Sequence, residues 1–339
     1  VSNRIVLPMP FGWFCIGYSD ELAVGEVRNI HYFGRDMVLF RTESGKVGLS
    51  DPACPHLGAH LGHGGTVQGE SIRCPFHHWQ YDTQGVITDI PYAKKIPPKV
   101  AGKPCLKTYP TCEKNAVIWA WYHPEDAAPD HEVIELEEGN NPEWVDQIRF
   151  LWTFDSCPQE IAENGVDVAH FKYVHQMEAV PQGDTSYEGH IRRSQVSGPR
   201  KVINEDGEEV VVQSTINVVQ NGAGQKWVRS SGLVDYLLQT LVTPVNKETV
   251  EVRFAYTHQR YPQGSFQDEA IKTTIAYTNG QTGVEGDIPI WHNKFHLRNP
   301  ILCDGDGPVM RFRKYFSQFY VNGPYPDDDD ISTTLEAVS

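Results

Sequence analysis

Two short stretches of the 339-residue chain gather side chains that bind metals: "DPACPHLGAHLGHGG" at 51–65 and "SIRCPFHHWQYD" at 71–82. Cys54 and His56 are followed, after seventeen residues, by Cys74 and His77. Two thiolates and two imidazoles suit zinc or an iron–sulfur cluster. A zinc finger pairs its cysteines and then its histidines. Here each loop offers one cysteine and one histidine, and Pro55 and Pro75 follow the cysteines. Two such loops can clamp a two-iron cluster from opposite sides, cysteines on one iron and histidines on the other. Neutral imidazoles carry less negative charge than thiolates, so the potential of such a cluster rises. His60 and His63, between the loops, are expected to be packing or surface residues.

A second group lies in "CPQEIAENGVDVAHFKYVHQM" (157–177). Pro158 suits the first turn of a helix, with Gln159 and Glu160 near its positive end. Ile161, Val166, Val168, Ala169 and Phe171 are spaced for a buried helix. Asp167 and His170 share a face of it. His170 and His175 stand about 140° apart on an ideal helix. They converge on one ion only if the helix is distorted or ends between them; otherwise they are a pair of core histidines.

The elements around these groups read mostly as strands. "DMVLFRTESGKVGLSDPAC" alternates, breaks at Ser44-Gly45 and alternates again, as a hairpin does. "QYDTQGVITDIP" repeats the form, and "NAVIWAWY" (115–122) is a β-branched and aromatic strand. Residues 35–122 thus predict a small antiparallel domain holding Cys54, His56, Cys74 and His77 at two loop tips. The acidic stretch 123–144 reads as a linker, and "IRFLWTFDS" as a strand. Strands dominate 185–260, and "FQDEAIKTTIAYTNGQTG" is a long helical segment.

Composition narrows the classes. The net charge of −15 argues against a nucleic-acid binder and suits a basic partner protein better. No apolar run approaches the ~20 residues of a membrane span, and "RIVLPMPFGWFCIGY" is too broken by Pro and Gly for a signal-peptide core. Seven scattered cysteines do not form a disulfide framework, so a cytoplasmic location is expected. "PDDDD" (326–330) predicts a solvated acidic tail. An initiator Met or a few residues are expected before Val1.

The two motifs together resemble the oxygenase component of Rieske non-heme iron oxygenases. Cys-x-His-x17-Cys-x-x-His, both prolines and Trp79 match the Rieske [2Fe–2S] domain, and Asp-x-x-His-x4-His follows in order. The resemblance implies Cys54, His56, Cys74 and His77 on the cluster, and His170 and His175 on a mononuclear Fe(2+) with a facial triad. It implies Asp167 as the carboxylate that reaches toward His77 of a neighbouring subunit, hence a homotrimer. The tail "VEGDIPIWHNKFHLRNPILCDGDGPVMRFRKYFSQFY" resembles 3-ketosteroid 9α-hydroxylase oxygenases and cholesterol 7-desaturases. On that match Asp287 is the third iron ligand, with Glu285, Asp304 and Asp306 as rivals. Asn164 is implied as a group beside the iron; capping or helix packing is the alternative. His78 is expected near the cluster surface, where a reductase could dock.

The expected fold is α+β: an N-terminal all-β Rieske domain (1–125), a linker (126–147), a helix-grip catalytic domain of antiparallel sheet and helices (148–325), and an acidic tail (326–339). The expected function is O2-dependent hydroxylation or desaturation of a largely apolar, steroid-like substrate. No Rossmann fingerprint or plant-type ferredoxin cysteine pattern occurs, so a separate reductase or ferredoxin must supply electrons. Competing expectations are an arylamine or other aromatic Rieske oxygenase, and a Rieske electron carrier without catalysis.

Overall fold

The computed structural model describes residues 6–177, 180, 182–203, 207–231 and 234–326. The expected acidic tail therefore lies, from 327 onward, outside the described residues. The first part of the chain is built from β1 (Gly12–Tyr18), β2 (Val27–Tyr32), β3 (Arg35–Arg41), β4 (Val47–Ser50), β5 (Thr66–Gln68), β6 (Ser71–Arg73), β7 (Gln80–Asp82), β8 (Ile87–Asp89), β9 (Thr111–Lys114) and β10 (Val117–Tyr122). They form three small antiparallel sheets, β1-β10-β9, β2-β3-β4 and β5-β6-β7-β8. Every residue of β1 and β10 is buried, which is why these strands are aromatic and apolar on both faces. The hairpin predicted around Ser44-Gly45 is β3–β4.

Residues 126–147 carry one turn of 3-10 helix, Glu137–Asn140, and are laid against both parts of the molecule. Trp13 Nε1 donates to the His131 carbonyl at 2.8 Å, and Gln225 Nε2 to that of Ile134 at 2.7 Å. Val133 and Leu136 are buried there.

The second part opens with β11 (Ile148–Asp155), α1 (Pro158–Glu163) and α2 (His170–Tyr173). It continues through β12 (Gln182–Glu188), β13 (Ile191–Ile203), β14 (Glu209–Asn221), β15 (Gln225–Ser231), β16 (Tyr236–Pro244) and β17 (Thr249–His258). Helices α3 (Phe266–Asn279), α4 (Val284–Asn293) and α5 (Val309–Phe316) close it. The seven strands make one antiparallel sheet, in the order β11-β17-β16-β15-β14-β13-β12. Ser265 caps α3, its hydroxyl accepting from the Asp268 amide at 3.2 Å. Ile271 and Ile275 of α3 and Val284 and Trp291 of α4 pack onto Phe154, Val250, Val252 and Tyr256 of the sheet. The molecule is thus α+β, with an all-β first domain and a sheet gripped by helices in the second, as expected.

The single helix expected over 157–177 is instead two short ones. α1 stops at Glu163, and the amides of Val166 and Asp167 fold back onto the Glu163 carbonyl. Gly165 sits in that turn because a Cβ there would meet Arg192 Nη2 at 2.8 Å. Arg313 fixes the end of α1, its Nε donating to Glu163 at 2.7 Å.

Candidate metal centres

The loop between β4 and β5 and the loop between β6 and β7 bring the first four residues together. Cys54 and Cys74 are buried in one cluster with Leu61, Ile72, Tyr81 and Ile87. Their thiols lie within interaction distance of each other. The His56 and His77 rings are 4.7 Å apart, and Trp79 stacks on His56 at 4.4 Å. His77 Nδ1 is buried without a hydrogen-bond partner. A buried imidazole nitrogen with nothing to bind is costly unless a metal takes its lone pair. Burial pushes the Cys74 thiol up, while amides of Phe76 and His77 aimed at its sulfur pull it down. The Tyr81 hydroxyl lies 3.1 Å from Cys54 Sγ. Nothing in the sequence flagged Tyr81, whose position depends on the β6–β7 pairing. The donor set and the orphaned nitrogen fit a [2Fe–2S] cluster.

His60 and His63 stand apart from this group, their rings 4.4 Å from each other. His60 is half-buried and His63 exposed. His78 is exposed, with a backbone φ of 60°.

α2 ends at Tyr173, between His170 and His175, which lets the two histidines converge with Asp287 of α4. Ligand atoms of His170, His175 and Asp287 all lie within 4.8 Å of one another. His170 Nδ1 donates to the Asp167 main-chain carbonyl. His175 Nδ1 donates to the Thr282 carbonyl at 3.1 Å, leaving Nε2 3.4 Å from Asp287 Oδ2. Both rings thus carry their proton on Nδ1 and turn the Nε2 lone pair toward the metal site. Asn164 Nδ2 reaches His170 Nε2 at 3.2 Å, and its amide also acts on Asp287. Glu285 and Asp304 are exposed. Asp306 Oδ2 accepts from the Cys303 amide at 2.7 Å, closing a turn. Of the rival carboxylates, only Asp287 meets the two histidines. The Asp167 side chain is 41 % exposed; its Oδ1 accepts from the His170 amide at 3.3 Å and lies 4.0 Å from His170 Nδ1, outside the group of three ligands.

The electrostatics suit a divalent cation. Burial pushes His175 down to about 4, with His170 adding to the effect, and burial also lowers His170. Both are neutral at pH 7. Burial raises Asp287 to about 7, against the pull of Asn164 and Lys226. Two neutral nitrogens and a carboxylate short of countercharge are the donor set of a mononuclear iron site with open positions.

A cavity of about 210 Å³ opens onto these three residues. Its walls are largely apolar, including Ile161, Val196, Val218, Leu238 and Phe254. Polar residues that the sequence did not single out, Gln220, Lys226 and Thr240, also line it.

Comparison with known proteins agrees with this architecture. Residues 12–110 match the Rieske [2Fe-2S] domain, and 120–320 match the 3-ketosteroid 9alpha-hydroxylase C-terminal domain. A 3-ketosteroid-9-alpha-monooxygenase oxygenase component from Rhodococcus rhodochrous is 30% identical, over 92% of this chain and 82% of that protein. The cholesterol 7-desaturase nvd of Xenopus laevis is 30% identical, over 92% and 72%. The crystal structure of dicamba monooxygenase bound to dicamba has the same fold, with a TM-score of 0.70 at 15% identity, covering 94% of this chain and 98% of that one. The oxygenase component's need for a separate electron donor and O2 comes with this family, as do the [2Fe–2S] cluster and the non-heme iron. Among the described residues no helix is long and apolar enough to cross a membrane. The chain belongs to the Rieske non-heme iron oxygenases, as a terminal oxygenase component with the 3-ketosteroid 9alpha-hydroxylase type of catalytic domain.

Proposed function

We propose that this oxygenase acts on a steroid-like, rigid and largely apolar substrate, and that Cys54, His56, Cys74 and His77 hold the cluster while His170, His175 and Asp287 hold the iron. The observation that carries the reading is an apolar cavity ending at a two-histidine, one-carboxylate triad. When bound, the cluster supplies single electrons and the iron supplies O2 activation against a C–H bond.

The chain's own residues set the conditions. The Asp167 and Thr282 carbonyls fix the tautomer of both histidines, so their lone pairs face the cavity. Asn164 orients His170 and Asp287 together. The walls exclude water from the reacting end and hold an apolar ring system by burial. The relatives named as a steroid monooxygenase and a sterol desaturase support the substrate class.

The assembly is a head-to-tail homotrimer in which His77 faces Asp167 of the adjoining subunit. Exposed apolar residues flank both: Leu57, Phe76 and Tyr92 near the cluster loops, and Tyr173 beside α2. Free, unpaired cysteines favour a cytoplasmic setting. The test is turnover with a reductase, O2 and a panel of steroids and arylamines. A steroid product heavier by one oxygen, or lighter by two hydrogens, is expected. Oxidation of arylamines alone would replace this substrate class.

A further inference from the structure

The cavity floor carries a polar row that an apolar substrate does not need. Arg192 on β13 pairs with Gln220 on β14, and Gln220 pairs with Lys226 on β15. Thr240 on β16 follows Gln239, the partner of Trp227, and so lies beside Lys226. Directly opposed residues share a sheet face, so the four side chains cross the floor of the grip in line. Gln220, Lys226 and Thr240 line the cavity, and Arg192 lies behind Gly165.

Several of their polar atoms have no partner among the described residues. Gln220 is 1 % exposed and its Oε1 has no partner; Thr240 is 7 % exposed and its hydroxyl has none. Arg192 is fully buried with all three guanidinium nitrogens unpartnered, resting on the Phe312 ring. Lys226 makes no hydrogen bond or ion pair among the described residues. Asp287 is the one acidic residue of the cavity lining among them, and it lies beyond ion-pair distance of Lys226. Lys226 is half-buried and faces this largely apolar cavity, where a cation without a counterion is costly and an anion that pairs with it offsets part of that cost. Burial and the nearby Arg192 lower the Lys226 ammonium to about 7, as an unpaired site would.

We propose that Lys226 and Thr240 form a subsite for a carboxylate carried by the otherwise apolar substrate, so that the enzyme selects an acid over its neutral counterpart. A single cation among the lining residues suits one negative charge better than a doubly charged phosphate. The Thr240 hydroxyl donates to the second carboxylate oxygen. Gln220 Oε1 can only accept, since its amide nitrogen donates to the Gly222 carbonyl at 3.1 Å. Its match is the Lys226 ammonium or a substrate hydroxyl. This deepens the steroid reading and rests on the same cavity being the substrate pocket.

Anaerobic titration calorimetry on the holoenzyme, with a steroid carboxylic acid and its methyl ester, tests it. The acid is expected to bind about tenfold or more tightly than the ester, the usual reach of a charged hydrogen bond. Lys226→Met should bring the two within about twofold, and Thr240→Val should narrow the gap in part. Equal binding of acid and ester by the unaltered enzyme overturns the proposal, with no variant required. So does an acid preference that survives Lys226→Met. A naphthalene carboxylic acid and its methyl ester separate the two readings. Acid preference there, with neither steroid bound, keeps the carboxylate subsite and removes the steroid. Both steroids bound without acid preference does the reverse.

Discussion

At the scale of single residues, the proposed iron site rests on Asp287. It supplies the only carboxylate of the triad, so Asp287→Ala should strip the mononuclear iron while the visible spectrum of the cluster remains; elemental analysis beside the absorption spectrum reads both. Glu285→Ala and Asp306→Ala should retain that iron, one being exposed and the other committed to a turn. The pH dependence follows from the same group. With no metal, Asp287 titrates near 7, raised by burial, so the folded protein binds a proton there that the unfolded chain releases near 4. The metal-free protein should therefore lose stability as pH rises from about 4 to about 7. His175 works in the opposite sense: depressed to about 4, it lowers stability as pH falls from its unfolded value of about 6.5 toward 4. A metal must displace the Asp287 proton, whereas His175 is already neutral well below that pH. Affinity for Co2+, a redox-quiet stand-in for iron, should rise about tenfold per pH unit below 7 and flatten above it. Calorimetry in two buffers of different ionisation heat measures the proton released; a flat affinity between pH 5.5 and about 7 would contradict the assignment.

The elements explain what sequence could and could not reveal. The spacing of Cys54, His56, Cys74 and His77 marks one centre on its own, because each loop is local and begins and ends on short strands. His170 and His175 are different: on a continuous helix they diverge, and they meet because α2 ends at Tyr173, between them. The earlier break, between α1 and α2, is tertiary in origin. It depends on Arg313 holding Glu163 and on Arg192 crowding Gly165, partners 150 and 27 positions away. The carboxylate-reading row was equally hidden. Gln220, Lys226 and Thr240 look like ordinary strand polar residues until the pairing of β14, β15 and β16 sets them side by side. Gly307 tests the break directly. A Cβ on it would collide with the Val166 carbonyl in the turn between α1 and α2. Gly307→Ala should cost about 1–3 kcal/mol of stability, as overpacking does, and lower iron occupancy with the cluster intact. A thermal melt and iron content equal to those of the parent protein would show that the turn tolerates displacement.

Across the whole molecule, the two metal centres belong to different layers, one at the loop tips of the small sheets and one beneath the helices of the large sheet. In the proposed assembly the half-exposed Asp167 carboxylate and the exposed apolar residues near His77 would meet a second copy at the surface. Identical chains joined by two different patches close into a ring when the rotation allows, and three copies make the smallest such ring beyond a pair. On the proposed trimer, Asp167→Asn should keep the oligomeric state and both metals yet slow turnover on the order of a hundredfold, the scale of a misplaced catalytic contact. That loss alone does not show which copy supplies the electron. Mixing two inactive variants does. Cys54→Ser chains lack the cluster but keep Asp167 and the triad, whereas Asp167→Asn chains keep the cluster and lack the link. In a trimer reassembled from both, the cluster of an Asp167→Asn chain can lie against the intact Asp167 of a Cys54→Ser chain, and product should form. If electrons travelled within one chain, every chain in the mixture would still lack either its cluster or its link. Turnover that rises in the mixture above both parents, and falls again when the subunits are kept from exchanging, therefore assigns the path to the subunit boundary. Mixed trimers as inactive as either parent would place it inside the single chain.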